Sequence, residues 1–524
     1  MINQFHKKIT LLLLYAGISQ EAIAYTNFNK PDLLPNIIII LADDMGYGDV
    51  SCFNENSKII TPRLDKLASE GIRFSDAHTS SAVCTPTRYG ILTGRYNWRS
   101  RLKSGVLSGY SEALIDNERL TVGKLLQTKN YHTAFVGKWH LGWDWQFKSP
   151  DEKSEDRLDA GNHNPDVDFN KPVKKGPPER GFDYSYGFSG SLDMPPYVYV
   201  ENGKATCIPH DTTQCVDEKG FWRKGITGSD FIHAEVLPHL AKKSIQYIES
   251  HAQNPQPFFL YFALPAPHTP ILPTTEFLGK SNTNFYGDFV LQVDDVVGNV
   301  VSALEKHGIR NNTVVIFISD NGCSPRADFE ELKKAGHNPS YIFRGSKADI
   351  YEGGHRVPFI VSWPDKIKKG QISDEIICTT DIFATIADIT GYKLPGNAGE
   401  DSYSFLPVMT EKSYKSPLRE ATVHHSIQGR FAIRQGQWKL ILWPGSGGWS
   451  YPKTEEEMKN MPQFQLYDIE ADPSESNNIA EKYPQKVNQL KELLTEYILQ
   501  GRSTPGEPQK NEGMDNWEEI KILF

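Results

Sequence analysis

The chain has 524 residues, of which 39% are hydrophobic and 11% aromatic, enough to bury a large core in two or three domains. Its formal net charge of −9 argues against a nucleic-acid-binding protein and against a broad basic surface for polyanions. Any anion must therefore be bound in a focused pocket.

The first 24 residues have the pattern of a secretory signal peptide. Lys7 and Lys8 precede the apolar run ITLLLLYAGI, and residues 22–24 (AIA) form a small-x-small cleavage site. No later apolar run is long enough to span a membrane, and no cysteine closely follows the first one to carry a lipid anchor. We therefore expect a mature chain that begins near Tyr25 and is periplasmic or secreted, without a membrane anchor.

Short apolar runs end at polar clusters in several parts of the chain. Runs that are apolar on both faces are typical of buried parallel strands, and helical patterns such as TPRLDKLASEG lie between them. The sequence predicts an α/β fold with a large, mostly parallel sheet flanked by helices, and ligands beyond the carboxyl ends of its strands. The polar residues at these ends are Asp43 and Asp44 (NIIIILADD), Lys138 and His140 (HTAFVGKWH), His268 (PFFLYFALPAPH), and Asp320 and Asn321 (TVVIFISDN).

The segment SAVCTPTRYGILTGR, residues 81–95, predicts a helix that begins near Cys84. Pro86 suits a first helical turn, where its missing N–H would have no partner. Cys84 would then face the positive end of the helix, which lowers the pKa of a thiol and also suits an anionic ligand. The pattern indicates a nucleophile or an anion site, with a buried structural cysteine as the alternative.

Between 146 and 230 the chain is polar and rich in Pro, Gly and Asp, which predicts long insertions near the site. Of the six cysteines, only Cys207 and Cys215 in this segment are close enough to suggest a local bridge. Because an exported protein permits disulfides, we expect these two to be joined. Farther along, Asp294 and Asp295 lie in a helical pattern and are expected on its solvated face.

After about residue 415, RFAIRQGQWKLILW and FQLYDIEADPSE have the pattern of antiparallel strands, and KVNQLKELLTEYILQ that of a helix. These patterns predict a catalytic domain at 25–415 and a smaller C-terminal α+β domain, built on an antiparallel sheet, at 416–524. His424 and His425 in this part lack carboxylate or cysteine neighbours in the sequence, which favours structural or substrate-edge roles over metal binding.

The residues Asp43, Asp44, Asp320 and Asn321 supply only hard oxygen ligands, which suit Ca²⁺ or Mg²⁺ rather than zinc. Adjacent carboxylates repel each other, so a divalent cation is their natural partner. Either cluster alone is more often an ordinary turn or cap. Together with Cys84, the clusters favour a metal site.

The residues CTPTR at 84–88 match the C-x-P-x-R signature of the sulfatases, and LTGR follows as in that family. The similarity runs in the family's order from NIIIILADDMGYGD through GKWHLG, PHTP, SDNG and EGGHRVPF to AIRQGQWKLI and LYDIEADPSE, which is nearly the whole mature chain. The chain thus resembles the formylglycine-dependent sulfatases of the alkaline-phosphatase-like superfamily, which implies that fold and sulfate ester hydrolysis.

The resemblance also implies a role for each matching residue. A maturation system would oxidise Cys84 to formylglycine, whose hydrate is the nucleophile, and an oxygen of residue 84 would complete a cation site for Ca²⁺, or less favourably Mg²⁺. The metal ligands would be Asp43, Asp44, Cys84, Asp320 and Asn321; the other matching residues are Arg88, Lys138, His140, His268 and Lys347, with Ser191 as a substrate contact. His355, close to Lys347 in the sequence, is a further candidate substrate contact.

The chemistry of a sulfate ester explains these residue types. Its cleavage needs positive charge on the sulfate oxygens and a proton for the departing alcohol. Arg88, Lys138 and Lys347 offer the charge, and His268 offers the proton. One hydroxyl of the hydrated aldehyde would attack sulfur, and His140 would take the proton of the other as sulfate leaves.

The predicted function is an exported sulfatase that acts on sulfated polysaccharide or oligosaccharide. Two other classes stay open. One is a phosphodiester or phosphonate hydrolase on the same scaffold, because some of these enzymes share C-x-P-x-R. The other is a non-catalytic sulfoglycan-binding protein, which would follow if Cys84 stayed a thiol.

Overall fold

A ten-stranded mixed sheet forms the centre of the molecule. The computed structural model describes residues 33–149, 151, 165–411, 413–513 and 517–523, so the predicted signal peptide at 1–24 lies outside the described residues. The strands are β1 (Asn36–Asp43), β2 (Ile72–Phe74), β3 (Ala77–His78), β4 (His132–Lys138), β5 (Tyr184–Phe188), β6 (Val200–Glu201), β7 (Lys204–Ala205), β8 (Asp211–Cys215), β9 (Trp222–Thr227), β10 (Phe258–Pro267), β11 (Thr313–Ser319), β12 (Phe359–Ser362), β13 (Gln371–Ser373), β14 (Ile377–Cys378), β15 (Thr422–His425), β16 (Phe431–Gln435), β17 (Trp438–Ile441) and β18 (Gln465–Asp468).

Helices flank both the large sheet and a smaller one. They are α1 (Pro62–Ser69), α2 (Cys84–Thr93), α3 (Val122–Thr128), α4 (Val236–His251), α5 (Phe285–Lys306), α6 (Phe329–Lys334), α7 (Glu352–His355), α8 (Asp381–Ile389), α9 (Leu406–Thr410), α10 (Glu455–Met458) and α11 (Pro484–Leu499). Within the described ranges, none of the helices combines the length and the apolar character needed to cross a membrane.

The order of strands in the large sheet is β13-β2-β12-β11-β1-β10-β4-β5-β6-β7. The central strands β11, β1, β10, β4 and β5 are parallel neighbours. Antiparallel pairs with β12 on one side and β6 on the other extend the sheet. The predicted α/β fold is confirmed, with a parallel centre and mixed edges.

The β1 strand shows why its run of isoleucines forms a buried strand. Ile37 and Ile39 pack into the core on the α2 side, whereas Ile38 and Ile40 pack into the core on the α5 side. All four side chains are fully buried. Burial of each stabilises the fold by about 1.5–3 kcal/mol relative to an exposed side chain, which makes the centre of the sheet a rigid base for the residues that follow its strands.

The smaller sheet has the order β15-β16-β17-β18 and is antiparallel throughout. Helix α11 packs on it, with Leu490 and Leu494 in one core cluster with Ile433 and Leu440. The antiparallel sheet and the helix predicted after residue 415 are therefore confirmed.

The prediction that Asp294 lies on a solvated helix face is wrong. Asp294, on α5, is buried, and its carboxylate accepts hydrogen bonds from the backbone N–H groups of Arg63 (3.1 Å) and Leu64 (2.8 Å). These are N–H groups of the first turn of α1, which have no partner inside their own helix. Asp294 thus caps α1 from a helix more than 200 residues away in sequence.

We expect Asp294→Ala to lower the free energy of unfolding by about 1–2 kcal/mol, because two helix N–H groups lose their acceptor. Chemical denaturation measures the change. The matched control is Asp295→Ala on the same helix, which should cost less than about 0.5 kcal/mol. Equal losses for the two variants would contradict the capping role.

The predicted Cys207–Cys215 disulfide is also wrong, because both cysteines are free. Cys207 follows β7, and its thiol lies 3.2 Å from an oxygen of the Asp230 carboxylate. Cys215 ends β8, where it pairs with Trp222 of β9. The two residues belong to different strand pairs, which their short separation in sequence does not reveal.

Candidate active site

The predicted polar clusters meet at the carboxyl edge of the parallel strands. Asp43 is the last residue of β1 and pairs with Pro267 of β10, directly before His268. Ala42 pairs with Ser319 of β11, directly before Asp320. The parallel register therefore brings the residues after β1, β10 and β11 to one place, and Lys138 ends β4 beside them.

Helix α2 begins at Cys84, as the sequence predicts. The thiol is buried, and burial raises its pKa even though Lys138 and Lys347 act in the opposite direction. The expectation that the helix end lowers the pKa of this thiol is therefore wrong: the cost of removing a thiolate from water outweighs the helix dipole and the nearby lysines.

Three buried side-chain oxygens in this site have no hydrogen-bond partner among the residues that the structure describes. They are Asp43 Oδ1, Asp44 Oδ2 and Asn321 Oδ1. A buried oxygen without a partner is costly, so each points to an unseen positive ligand. Possible ligand atoms of Asp43, Cys84 and Asp320 also lie within 4.8 Å of one another. The donor set fits a hard divalent cation.

The carboxylates of the site form ion pairs with buried lysines. Lys138 Nζ lies 2.6 Å from Asp43 Oδ2, and Lys347 Nζ lies 2.5 Å from Asp44 Oδ1. Burial raises the pKa of Asp320 to about 7, and the neighbouring Asp43 carboxylate adds to the rise. A bound cation would favour the charged form of both aspartates.

Arg88 lies one helical turn after Cys84 and is fully buried. Its Nε and Nη2 donate to Asp320 Oδ2 at 3.0 and 2.7 Å, and its Nη1 donates to the Lys138 carbonyl at 2.8 Å. The bidentate pair is a strong, geometrically specific contact. Arg88 therefore locks α2 to the ends of β4 and β11, which fixes residue 84 next to the carboxylates.

His140 has one ring nitrogen bonded and one free. Its Nε2 lies 2.8 Å from the Leu107 carbonyl, so this nitrogen carries the proton. Its Nδ1 is buried and has no partner within the described part of the chain. Burial, helped by Lys138, holds the pKa of His140 well below its usual value. The residue is therefore a neutral imidazole with a lone pair on Nδ1.

His268 lies at the mouth of the site, 8% exposed. Its Nδ1 lies 2.5 Å from the Thr269 carbonyl, and its Nε2 lies 3.6 Å from Asp44 Oδ2. Ser191 Oγ accepts a hydrogen bond from Lys138 at 3.1 Å and lies 3.3 Å from the His268 ring. The structure thus brings Ser191, Lys138 and His268 together, as the resemblance implies.

A cavity of about 470 Å³ opens beside His268 and Lys347. It contains side chains that the sequence analysis did not single out: Asp193, Phe221, Arg223, Arg326 and Trp449. The sequence gives one indication of these cavity residues, because Asp193 lies two residues after Ser191, the substrate contact that the resemblance implies. The others come from the 211–227 hairpin, the turn after β11 and the loop after β17, and only the fold brings them together.

His355 does not reach this cavity, so its predicted substrate contact is wrong. It is fully buried, its Nε2 lies 3.0 Å from Lys439 Nζ, and its ring stacks on His424 at 4.1 Å. Helix α7 directs His355 toward the small sheet, away from Lys347. The ring nitrogens of His78, His355 and His424 all have hydrogen-bond partners, so this histidine cluster is a structural network.

The chain matches known proteins over most of its length. A family model described as Sulfatase matches residues 35–392, and one described as N-sulphoglucosamine sulphohydrolase, C-terminal, matches residues 346–502. The chain is 34% identical over 501 residues to an N-acetylgalactosamine-6-O-sulfatase of Bacteroides thetaiotaomicron, with 88% of this chain and 92% of the relative covered. It is 29% identical over 504 residues to arylsulfatase A of Homo sapiens, with 92% and 91% covered.

A solved protein structure also matches this chain over most of its length. A protein from work on the metabolism of multiple glycosaminoglycans by Bacteroides thetaiotaomicron matches with a TM-score of 0.76 at 34% identity, covering 88% of this chain and 99% of that one. This chain belongs to the sulfatase family of the alkaline-phosphatase-like superfamily and is an enzyme of that family.

Proposed function

We propose that this sulfatase is exported and removes sulfate from sulfated glycans, with 6-O-sulfated N-acetylgalactosamine as the substrate to test first. The relative named N-acetylgalactosamine-6-O-sulfatase supports the sugar, and the signal-peptide pattern at 1–24 supports export. The observation that carries the proposal is the group of buried, unpaired oxygens on Asp43, Asp44 and Asn321 in the same site as Cys84. This arrangement supports a cation site where the modified residue 84 would act.

Asp43, Asp44, Asp320 and Asn321 would hold the cation, together with an oxygen of residue 84. Ca²⁺ suits this set better than Mg²⁺, because Ca²⁺ accepts many protein oxygens in flexible geometry, whereas Mg²⁺ keeps several waters. When bound, the cation supplies positive charge to the nucleophile and to the sulfate oxygens.

Residue 84 acts as formylglycine, formed from Cys84 by a maturation system. The buried thiol has a raised pKa and is therefore a poor nucleophile as it stands. The hydrate of formylglycine supplies one hydroxyl for attack on sulfur and a second whose deprotonation lets sulfate leave. Arg88 holds the residue in place through its contacts with Asp320 and the Lys138 carbonyl.

The remaining side chains handle charge and protons. Lys138 and Lys347 offset negative charge on the sulfate oxygens, and Ser191 orients Lys138 toward the substrate. His268 points its Nε2 into the site and, when protonated, donates to the departing sugar oxygen. His140, with its free Nδ1, accepts the proton that residue 84 gives up.

Release of sulfate from a panel of sugar esters tests the proposed function. The panel contains N-acetylgalactosamine 6-sulfate, its 4-sulfate isomer, the matching 6-phosphate and a simple aryl sulfate, with product measured by ion chromatography. We expect kcat/KM for the 6-sulfate to exceed that for the 6-phosphate by about 100-fold or more, since the site matches a sulfate ester. Faster cleavage of the phosphate, or of a matching phosphodiester, would favour a phosphoesterase on the same scaffold. A residue 84 that stays a thiol in protein that binds the sulfated sugars without turnover would favour the binding-protein alternative.

We expect His140→Ala to lower kcat by about 10²–10⁴-fold while KM changes little, because a positioned proton acceptor is lost and substrate contacts are not. Steady-state kinetics on the 6-sulfate measures both constants. His210→Ala, which removes an exposed histidine, serves as the control. A rise in KM with unchanged kcat would show that His140 binds substrate and does not move a proton.

A further inference from the structure

We propose that Arg223 and Arg326 form a subsite for a second anionic group of the glycan, carried by the sugar next to the one that loses sulfate. The inference rests on the proposed function and extends it to the substrate beyond the cleaved ester. The group that this subsite would bind is a carboxylate or a second sulfate.

The two arginines line the same cavity as His268 and Lys347. Each guanidinium carbon lies 5.6 Å from the centre of the Phe221 ring, so both cations contact the same aromatic side chain. A cation near an aromatic face is attracted by the ring, which favours side chains already placed for binding. The pair is therefore part of the cavity wall that a bound glycan would meet.

Most of the donor capacity of these arginines is unused. Among the residues that the structure describes, the Arg223 side chain donates hydrogen bonds only through Nη1, to the carboxylate and the carbonyl of Asp193. Arg326 is exposed, and in the described ranges its guanidinium has no carboxylate partner. A guanidinium presents donors in a fork that matches a carboxylate or a sulfate. Asp193 offsets one of the two charges, so the pair keeps a net positive charge in a protein whose overall charge is −9.

The geometry of the cavity also suits a sugar ring. Trp449 forms another part of the wall and is 44% exposed. Its loop is fixed because Asp349 Oδ1 accepts hydrogen bonds from the backbone N–H groups of Trp449 (2.8 Å) and Ser450 (3.0 Å). Asp349 lies two residues after Lys347, so the aromatic ring is tied to the catalytic loop. An exposed aromatic ring in the same cavity as two arginines is a suitable platform for an acidic sugar.

Binding of defined disaccharides tests the subsite without requiring turnover. The probes are glucuronic acid linked to unsulfated N-acetylgalactosamine, the same disaccharide with its carboxyl reduced to an alcohol, and the reduced disaccharide bearing a sulfate on the sugar that carried the carboxyl. We expect calorimetry to show about tenfold weaker binding of the reduced disaccharide than of the acid, because charge-assisted hydrogen bonds are lost. Recovery of affinity with this sulfate would show that the subsite accepts either anion, and no recovery would show that it is specific for the carboxylate.

The variants Arg326→Ala and Arg223→Ala should each remove most of this preference for the charged probe. Lys224→Ala is the matched control, because Lys224 follows Arg223 on β9, is exposed and points to the opposite face of the strand. Equal binding of charged and neutral probes by the unaltered protein would overturn the proposal, as would equal effects of the three variants. Because the probes carry no 6-sulfate, absence of sulfatase activity would count against the proposed function alone.

A kinetic comparison separates the subsite from the site of the cleaved sulfate. For the unaltered enzyme, kcat/KM on the 6-sulfated acidic disaccharide should exceed that on the 6-sulfated monosaccharide by about tenfold. In Arg326→Ala this ratio should fall to near one. Losses that are equal on the two substrates would show that Arg326 binds the cleaved sulfate, and the proposal would fall.

Discussion

Cys84→Ser should turn over at most once and accumulate a sulfate ester on residue 84. The serine hydroxyl can attack sulfur while Arg88, Lys138 and His268 stay in place. Serine has no second hydroxyl for His140 to deprotonate, so the ester must wait for external water in a site that is not built to position it. Steady-state kcat should fall by about 10³-fold or more.

Mass spectrometry of the peptide containing residue 84, taken after incubation with substrate, detects the added sulfate. Cys84→Ala is the control, because it has no oxygen to be sulfated and should show no added mass. Steady turnover by the serine variant at a rate close to that of the unaltered enzyme would show that release proceeds by hydrolysis at sulfur. The proposed role of the aldehyde would then be wrong.

Removal of the cation should lower the sulfatase activity about as strongly as Cys84→Ser does. Exhaustive chelation should abolish activity, because the carboxylates of Asp43 and Asp320 then repel both each other and the anionic substrate. Added Ca²⁺ should restore activity better than Mg²⁺, and both better than Zn²⁺, because the ligands are oxygens. Asp320→Asn should lower kcat/KM by about 10³-fold, as expected when electrostatic stabilisation is lost.

Elemental analysis by mass spectrometry measures the bound metal in the same samples. Asp294→Asn is the matched control, because it changes an equally buried aspartate that caps a helix outside the site. It should keep both metal content and activity. Near-normal turnover by chelated enzyme would show that the oxygen cluster is not a metal site.

The ends of the parallel strands were predictable from the sequence because each polar cluster directly follows a buried strand. Once Asp43 and Asp320 are placed after parallel neighbours, the register brings them together without further information. Cys84 was predictable for a similar reason, since Pro86 and the following residues set the start of α2.

Other features depend on tertiary packing, which local patterns do not encode. His355 is near Lys347 in sequence, but the short helix α7 turns it toward Lys439 on the smaller sheet. Asp294 follows a helical pattern that fits either a solvated or a buried face, and only the approach of α1 decides between them. The cavity wall also depends on tertiary packing, because its residues Arg223 and Trp449 lie more than 200 residues apart in the sequence.

The pKa of Cys84 shows how burial can reverse a local expectation. The helix start and two lysines favour a thiolate, yet full desolvation of the side chain dominates and keeps the thiol protonated. This balance makes an unmodified cysteine a weak nucleophile in its own site. It is the physical reason for expecting a modified residue at position 84.

The most direct test of residue 84 is mass spectrometry of the peptide containing AVCTPTR, combined with activity measured on the same preparations. Co-expression with a formylglycine-generating system at several levels yields protein with different degrees of modification. We expect the rate of sulfate release to rise in proportion to the fraction of residue 84 present as formylglycine and to extrapolate to zero for the thiol. Full activity in protein whose residue 84 is entirely an unmodified cysteine would contradict this mechanism.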